Sequence, residues 1–218
     1  MSEGQLEEQL KSGQELFVQQ KKEWTEIIVD FETSNKYAIM DSEKNILGMI
    51  AERGGGFMKV IKRMIFRSHR ALEIDVIDQA GKIVLHLSRA FFFFFSDLTL
   101  TDRNGQVIGS IHRRFGIIHK RYDLKDKHNR LFATIKSPIW RLWTFPIYPS
   151  QGQTQQGEIS KKWGGALREI FTDADVFRVS FGQHPWTPDQ RLVIFAASVS
   201  IDFDFFENNQ GQGGLIGG

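Results

Sequence analysis

The chain contains no cysteine among its 218 residues. That excludes disulfides, thiolate metal sites, cysteine catalysis and S-palmitoylation. Net charge is scarce as well: 28 Lys and Arg against 26 Asp and Glu leave only +2. A field able to hold nucleic acid or a membrane therefore has to come from local patches. Catalytic signatures are missing too. There is no GxSxG, HExxH, GxGxxG or phosphate-binding GxxxxGK loop, "RGGGF" at 53–57 has no lysine–serine pair behind it, and the six histidines are scattered. The chain reads as a non-enzyme whose action breaks no covalent bond. Its polar opening, "MSEGQLEEQLKSGQELF", has no apolar core of the kind a secretory signal needs. The best hydrophobic run, "LVIFAASVSIDFDFF" at Leu192–Phe206, is 15 residues long and contains Asp202 and Asp204. A bilayer core takes about 20 mainly apolar residues, and acids near its centre are costly. Because the run is apolar almost all round from Leu192 to Ile201, it reads as a helix enclosed by protein.

Phenylalanine, by contrast, is plentiful: 19 residues, five of them consecutive at Phe91–Phe95. A strand points alternate side chains to opposite faces, so the run offers benzyl groups to both. One reading lays one face on a central helix and covers the other with the N-terminal segment. The other reading sets Phe92 and Phe94 against a membrane or a partner.

The middle of the chain has a regular beat. "LEIDVIDQAGKIVLHL", "LTLTDRNGQVIGSI" and "YDLKDKHNRLFATI" each read as strand, turn, strand, with turns opening at Asp78, Asp102 and Asp126, 24 residues apart. Gly81, Gly105 and Asn129 close them as residues that accept positive φ. Asp41 in "YAIMDSEKNILGMI" opens an earlier copy, and Ser150 falls one period after Asp126. Together with "VFRVSFG" these hairpins predict a mainly β fold, a closed antiparallel barrel of eleven or twelve strands. A barrel that wide needs a filling. The C-terminal helix supplies it, through Val193, Ile194, Phe195, Val199, Ile201 and Phe205. Residues 1–22 are expected to form a polar helical segment with Leu6, Leu10 and Phe17 as its apolar stripe, 23–208 the barrel domain, and 209–218 a glycine-rich tail.

Two basic segments free of acid stand out. Arg53, Lys59, Lys62, Arg63, Arg67 and Arg70 lie in 53–70, where Phe57, Ile61, Met64 and Ile65 fall at helical spacing. Arg113, Arg114, Lys120 and Arg121 lie in "IHRRFGIIHKRY", 111–122. Basic residues near an anionic membrane contribute roughly 1 kcal/mol each, so either segment is a candidate lipid-binding patch. Solvated loops balanced by acids elsewhere are the alternative. The basic segments are interleaved with apolar residues and show no recognition-helix pattern, which argues against nucleic acid. Protein partners stay open, and an intracellular interaction scaffold is the rival function.

Three stretches, "FETSNKYAIMDSEKNILGMIAE", "GEISKKWGGALREIFTDADVFRVSF" and "SIDFDFFE", resemble the phospholipid scramblase family in residues, order and spacing. The resemblance implies a tubby-like fold, a twelve-stranded barrel around a central C-terminal helix. It also implies calcium-stimulated movement of phospholipid between leaflets. With no secretory signal and no cysteine in the chain, the expected address is cytoplasmic, peripheral on the inner face of a membrane. The family's calcium loop maps onto Asp173 and Asp175 at its first and third positions, with backbone ligands at Phe177, Val179 and Phe181. Its twelfth position, an acid in familiar members, is His184 here, and Arg178 stands where the sixth position takes glycine. Two carboxylates and a histidine fall short of the oxygen set calcium prefers. Asp173 and Asp175 also read as caps between a short helix and a strand. Where vertebrate-type members carry palmitoylated cysteines, this chain has Phe91–Phe95.

Overall fold

The computed structural model describes residues 4–20, 36–52, 72–90, 97–116, 118–141, 143–161 and 176–205. Helix α1 (Gln5–Ser12) is followed by β1 (Glu15–Gln20), β2 (Lys36–Met40), β3 (Ile46–Glu52), β4 (Leu72–Asp78), β5 (Ile83–Arg89) and β6 (Asp97–Asp102). Then come β7 (Val107–Arg114), β8 (His119–Asp126), β9 (Leu131–Pro138), β10 (Thr144–Pro149), β11 (Gly157–Ser160), β12 (Val176–Ser180) and helix α2 (Pro188–Phe205). Each strand pairs antiparallel with its sequence neighbours, and β1 closes the ring by pairing with both β12 and β2. This is the expected closed barrel of twelve antiparallel strands, with α2 as its filling.

The hairpin meter has a common cause. In the turns at Asp41, Asp78, Asp102 and Asp126, the aspartate Oδ1 accepts the backbone N–H groups two and four residues on, at 2.8–2.9 Å. The residue three positions on takes positive φ: Lys44 at 67°, Gly81 and Gly105 at 79°, Asn129 at 60°. Each of these hairpins carries a bulge beside its turn, which matches a three-residue turn closed by a left-handed residue.

Helix α2 begins on a capping box. Thr187 Oγ1 accepts the Gln190 N–H at 3.3 Å, Gln190 Oε1 accepts the Thr187 N–H at 2.9 Å, and Pro188 fills the first helical position. Every residue from Leu192 to Ile201 is buried, Val193, Ile194 and Phe195 completely. Gly109 lets the helix approach: a Cβ there would sit 2.7 Å from Val193 Cγ2 and 2.5 Å from the Lys125 carbonyl oxygen.

The N-terminal segment differs from the helix expected over 1–22. Helix α1 stops at Ser12, and Glu15–Gln20 is a barrel strand. Gly13 takes extended backbone after the helix, and its N–H caps the Gln9 carbonyl. Leu6 and Leu10, one helical turn apart, are buried, and α1 packs against α2. Beyond the break the period becomes two: Leu16 and Val18 join the main core, and Phe17 joins Ala38, Met40 and Val176 in a second cluster. Phe17 therefore belongs to neither α1 nor its stripe.

Candidate functional site

An up-and-down barrel puts alternate connections at opposite ends. One end, the turn rim, carries the four aspartate turns, the β10–β11 connection and the start of α2. The other, the loop rim, carries the β7–β8 and β9–β10 connections and the C-terminal end of α2. The strands flanking 53–71, 91–96 and 162–175 also end at this rim. Those three segments hold Arg53, Lys59, Lys62, Arg63, Arg67 and Arg70, then Phe92 and Phe94, then Asp173 and Asp175. All of these residues lie outside the described ones.

Alternation divides the 111–122 patch. Arg113 and Lys120 share the inward phase of Ile111 and Tyr122, while Arg114 and Arg121 face outward. Inside the mouth, Asp202 and Asp204 sit in the last turn of α2, where the helix dipole disfavours negative charge. Cations and phenols compensate. Arg89 meets Asp204 at 3.2 Å, Arg113 at 3.7 Å, and the Tyr122 hydroxyl donates to Asp204 at 2.9 Å. The Tyr37 hydroxyl donates to Asp202 at 2.6 Å, and Lys161 Nζ lies 4.0 Å from the same carboxylate. Lys120 Nζ stands 5.0 Å over the Phe145 ring. Burial pushes the Asp204 carboxyl above its ordinary 3.8, with Arg113, Arg89 and Tyr122 pulling the other way. Burial first, then the Asp204 charge, raise the Tyr122 phenol well above its ordinary value, and burial lowers the Lys120 amine. An ionic knot of this kind fixes where the helix ends. It makes no recognisable catalytic set.

Outside, Arg114 and Arg121 share Asp123 at 2.8 and 3.0 Å. Lys136 pairs across the sheet with Arg121 in register, and Arg141 follows in the β9–β10 connection. Both are exposed, and neither forms an ion pair with another described residue. Among the described residues the outer face of β7–β9 and the β9–β10 connection thus carries four cations against Asp123, which is nearly buried, while the exposed Asp97 of β6 beside it pairs with His112 at 2.8 Å. A groove of about 910 Å³ runs down from it along the outside of β8–β10, lined by His119, Arg121, Lys136, Arg141 and Tyr148 among others, without a carboxylate. Above it stand exposed apolar side chains: Phe115 at 81% and Trp140 at 70% exposure, with Ile118 and Ile139. The Ile139 N–H donates to the Ile118 carbonyl at 2.9 Å and holds the two tips together.

Of the expected lipid-binding residues, then, the structure brings Arg114 and Arg121 together on the surface and turns Arg113 and Lys120 toward the mouth. Lys136, Arg141, Ile139 and Trp140 were not anticipated from the sequence. A signal for two of the tips did exist: Phe115 and Ile139 are 24 residues apart and fall midway between the aspartate turns.

The implied calcium loop does not fit the described part of its span. Val176–Ser180 is strand β12, in which Val179 pairs with Leu16 on one side and Ile159 on the other, and Phe177 pairs with Val18. Backbone oxygens in such a ladder are already bonded and are not available to a cation. The Phe181 carbonyl accepts the Trp186 indole N–H at 2.9 Å, and the His184 ring packs on Trp186 with centroids 4.1 Å apart. Among the described residues no group of three or more His, Asp or Glu is placed to hold a metal.

Comparison with known proteins came to the same family as the sequence motifs. The family model described as Scramblase matches residues 2–208. A Saccharomyces cerevisiae protein named altered inheritance rate of mitochondria protein 25 is 26% identical over 91% of this chain and 72% of its own length. A Schizosaccharomyces pombe phospholipid scramblase family protein is 25% identical over 93% of this chain, which spans only 62% of that relative. Human phospholipid scramblase 1 is 26% identical over 94% of this chain and 67% of its own. A solved Arabidopsis thaliana structure superposes with a TM-score of 0.50 at 13% identity, covering 92% of this chain and 95% of that one, and shows a shared fold alone.

Proposed function

The chain belongs to the scramblase family, and we propose that it acts as a peripheral phospholipid-binding protein whose loop rim meets anionic lipid. The observation that carries this reading is the charge of the outer face of β7–β9 and the β9–β10 connection, where among the described residues Arg114, Arg121, Lys136 and Arg141 stand against the nearly buried Asp123, with Asp97 of β6 paired to His112 beside them, on a chain whose net charge is only +2. Roughly 1 kcal/mol for each cation near an anionic surface is enough to recruit such a protein. The basic segment 53–70 would add to the same attraction. Movement of phospholipid between leaflets, the activity in the relatives' names, is proposed to follow from this docking and to involve no covalent chemistry.

The geometry of α2 constrains how. Among the described residues no helix is long and apolar enough to cross a membrane. At 18 residues, α2 spans about 27 Å and carries Asp202 and Asp204 at one end. Burying one large aliphatic or aromatic side chain is worth about 1.5–3 kcal/mol. Leu192, Val193, Ile194, Phe195, Val199 and Ile201 are six such side chains, so exposing the helix to water would consume a stability comparable to that of a whole domain, about 5–15 kcal/mol, and passing it into lipid would take Asp202 and Asp204 away from Tyr37, Tyr122 and Arg89. Lipid would therefore be handled by the rim while the helix stays enclosed.

The test has two arms. Purified protein is cosedimented with vesicles of neutral or acidic phospholipid across a salt series. Binding that requires acidic lipid and fades with salt is expected, and binding indifferent to lipid composition would favour an interaction scaffold instead. Reconstitution into asymmetrically labelled vesicles, with and without calcium, then asks whether label moves. No movement under either condition would reduce the function to binding.

A further inference from the structure

We infer that the barrel docks end-on, by inserting Phe115, Ile118, Ile139 and Trp140 into the interface of an anionic phospholipid bilayer. This rests on the reading above and adds to it an anchor and an orientation. The four side chains sit on two adjacent loop tips tied by the Ile139 to Ile118 hydrogen bond, and all four are exposed. A contiguous exposed aromatic and aliphatic cluster is not an ordinary feature of a soluble surface and marks a contact site. The apolar groups stand on strand connections at the rim, outside the residues that line the groove on β8–β10, which suits a soft, planar partner. Its surroundings select the same one. Arg114, Arg121, Lys136 and Arg141 flank the tips, and the one carboxylate among them, Asp123, is held between Arg114 and Arg121. An anionic lipid surface complements that charge.

The spacing agrees with a headgroup layer. Arg121 and Lys136 are in register, two residues below the His119–Pro138 pair that borders the tips. At about 3.3 Å per residue they lie about 7–10 Å behind the apolar groups. An interfacial segment sinks about 5–10 Å into the boundary between headgroups and acyl chains. Tips seated at that boundary therefore bring the guanidinium and ammonium groups level with lipid phosphates. Indole and benzyl rings at the depth of the headgroups are the usual interfacial anchors.

Because the chain lacks cysteine, single Cys variants can carry an environment-sensitive dye without background. Ile118→Cys and Ile139→Cys report on the tips, and Asn104→Cys and His128→Cys report on the turn rim. With vesicles containing acidic phospholipid, the tip labels are expected to shift to the blue and be quenched by lipids bearing a shallow spin label, while the turn labels keep their aqueous emission. Trp140→Ala is expected to weaken vesicle binding ~10-fold or more, and Lys136→Ala or Arg141→Ala ~5-fold each, with the melting temperature unchanged. Cosedimentation without any response of the tip labels, or with a response from the turn labels, overturns the end-on anchor and leaves phospholipid binding standing. Absence of cosedimentation with any vesicle overturns both. A tip-label shift that appears without lipid and tracks formation of a dimer assigns the surface to a second copy of the chain and also overturns the proposal.

Discussion

The two ends of the barrel reverse the same strands by different chemistry. At the turn rim an aspartate closes each of four hairpins by accepting two backbone N–H groups, and a residue with positive φ completes the reversal. The polar groups there satisfy one another within five residues of chain. At the loop rim the polar groups are satisfied over long distances. Asp204 meets Arg89, Arg113 and Tyr122, partners that lie on three different strands. The apolar groups of that rim, Phe115 and Trp140 above all, are left in solvent. The turn rim exposes only the aliphatic Val107 and Leu131 among its described large apolar residues, each about half as exposed as Phe115, so the denser aromatic cluster marks the other end as the one shaped by contact with a partner.

The sharpest way to break this contrast is to remove the knot. Asp204→Ala removes the carboxylate that Arg89 meets at 3.2 Å and that Tyr122 donates to, and loss of one member of a buried pair costs about 3–5 kcal/mol. Urea unfolding should show that loss for Asp204→Ala and a clearly smaller one for Asp102→Ala at the turn rim. Equal losses would mean that the knot does not hold the helix end. Next in size is Gly109→Ala, which drives a methyl group toward Val193 and the Lys125 carbonyl. Overpacking of this kind costs about 1–3 kcal/mol and should appear as a lower urea midpoint. No change would mean that the helix does not sit against β7 at the close Gly109–Val193 approach.

Acid should move the two rims in opposite directions. The backbone amide of Gln106 is the main cause holding Asp102 below 3.8; slight burial opposes it, and Asn104 and Arg103 add to it. A carboxyl depressed on folding contributes stability that is complete above its ordinary value and is lost as pH falls through the lower folded one. Asp204 is raised by burial, so the folded chain keeps its proton to a higher pH than the unfolded chain does. Its contribution declines as pH climbs from 3.8 through the raised folded value. The stability difference between wild type and Asp102→Asn should therefore shrink on acidification, and the Asp204→Asn comparison should slope the opposite way. Slopes of the same sign would contradict the assigned environments.

Much of this architecture was readable because local chemistry dictates it. The 24-residue spacing of Asp78, Asp102 and Asp126 reflects a repeated hydrogen-bonding device, and device and spacing are both properties of short sequence. The all-round apolar stretch of α2 can only be enclosed. Less was readable where a residue's role depends on the far side of the fold. Residues 15–20 have a pattern that a helix or a strand can use, and it is the neighbours β2 and β12 that decide for a strand. "IHRRFGIIHKRY" looks like one basic patch, yet period-two alternation sends Arg113 and Lys120 inward. Asp202 and Asp204 argued against a membrane span, but nothing local announced Tyr37, Tyr122 and Arg89 as their partners. Trp140 is exposed because of where β9 ends, and no spacing rule gives exposure. Phe91 has the same phase in the repeat as Phe115 and Ile139, but it lies outside the described residues.

The smallest expected effect sharpens the turn rim. Asn129 holds φ at 60°, so Asn129→Gly should be close to neutral, while Asn129→Val should lose about 1–2 kcal/mol through a β-branched residue in left-handed backbone. Melting temperatures of the pair measure it; equal values would mean that Asn129 relaxes out of that conformation.

Hydrogen exchange on protein bound to anionic vesicles tests the central claim, that lipid is met by one rim while the filling helix stays inside. Amides of Leu192–Ile201 should exchange as slowly as in the free protein, and those of 115–118 and 139–141 should slow on binding. Fast exchange throughout α2 on the vesicle, with the two tips unchanged, would show that the barrel opens and the helix leaves it.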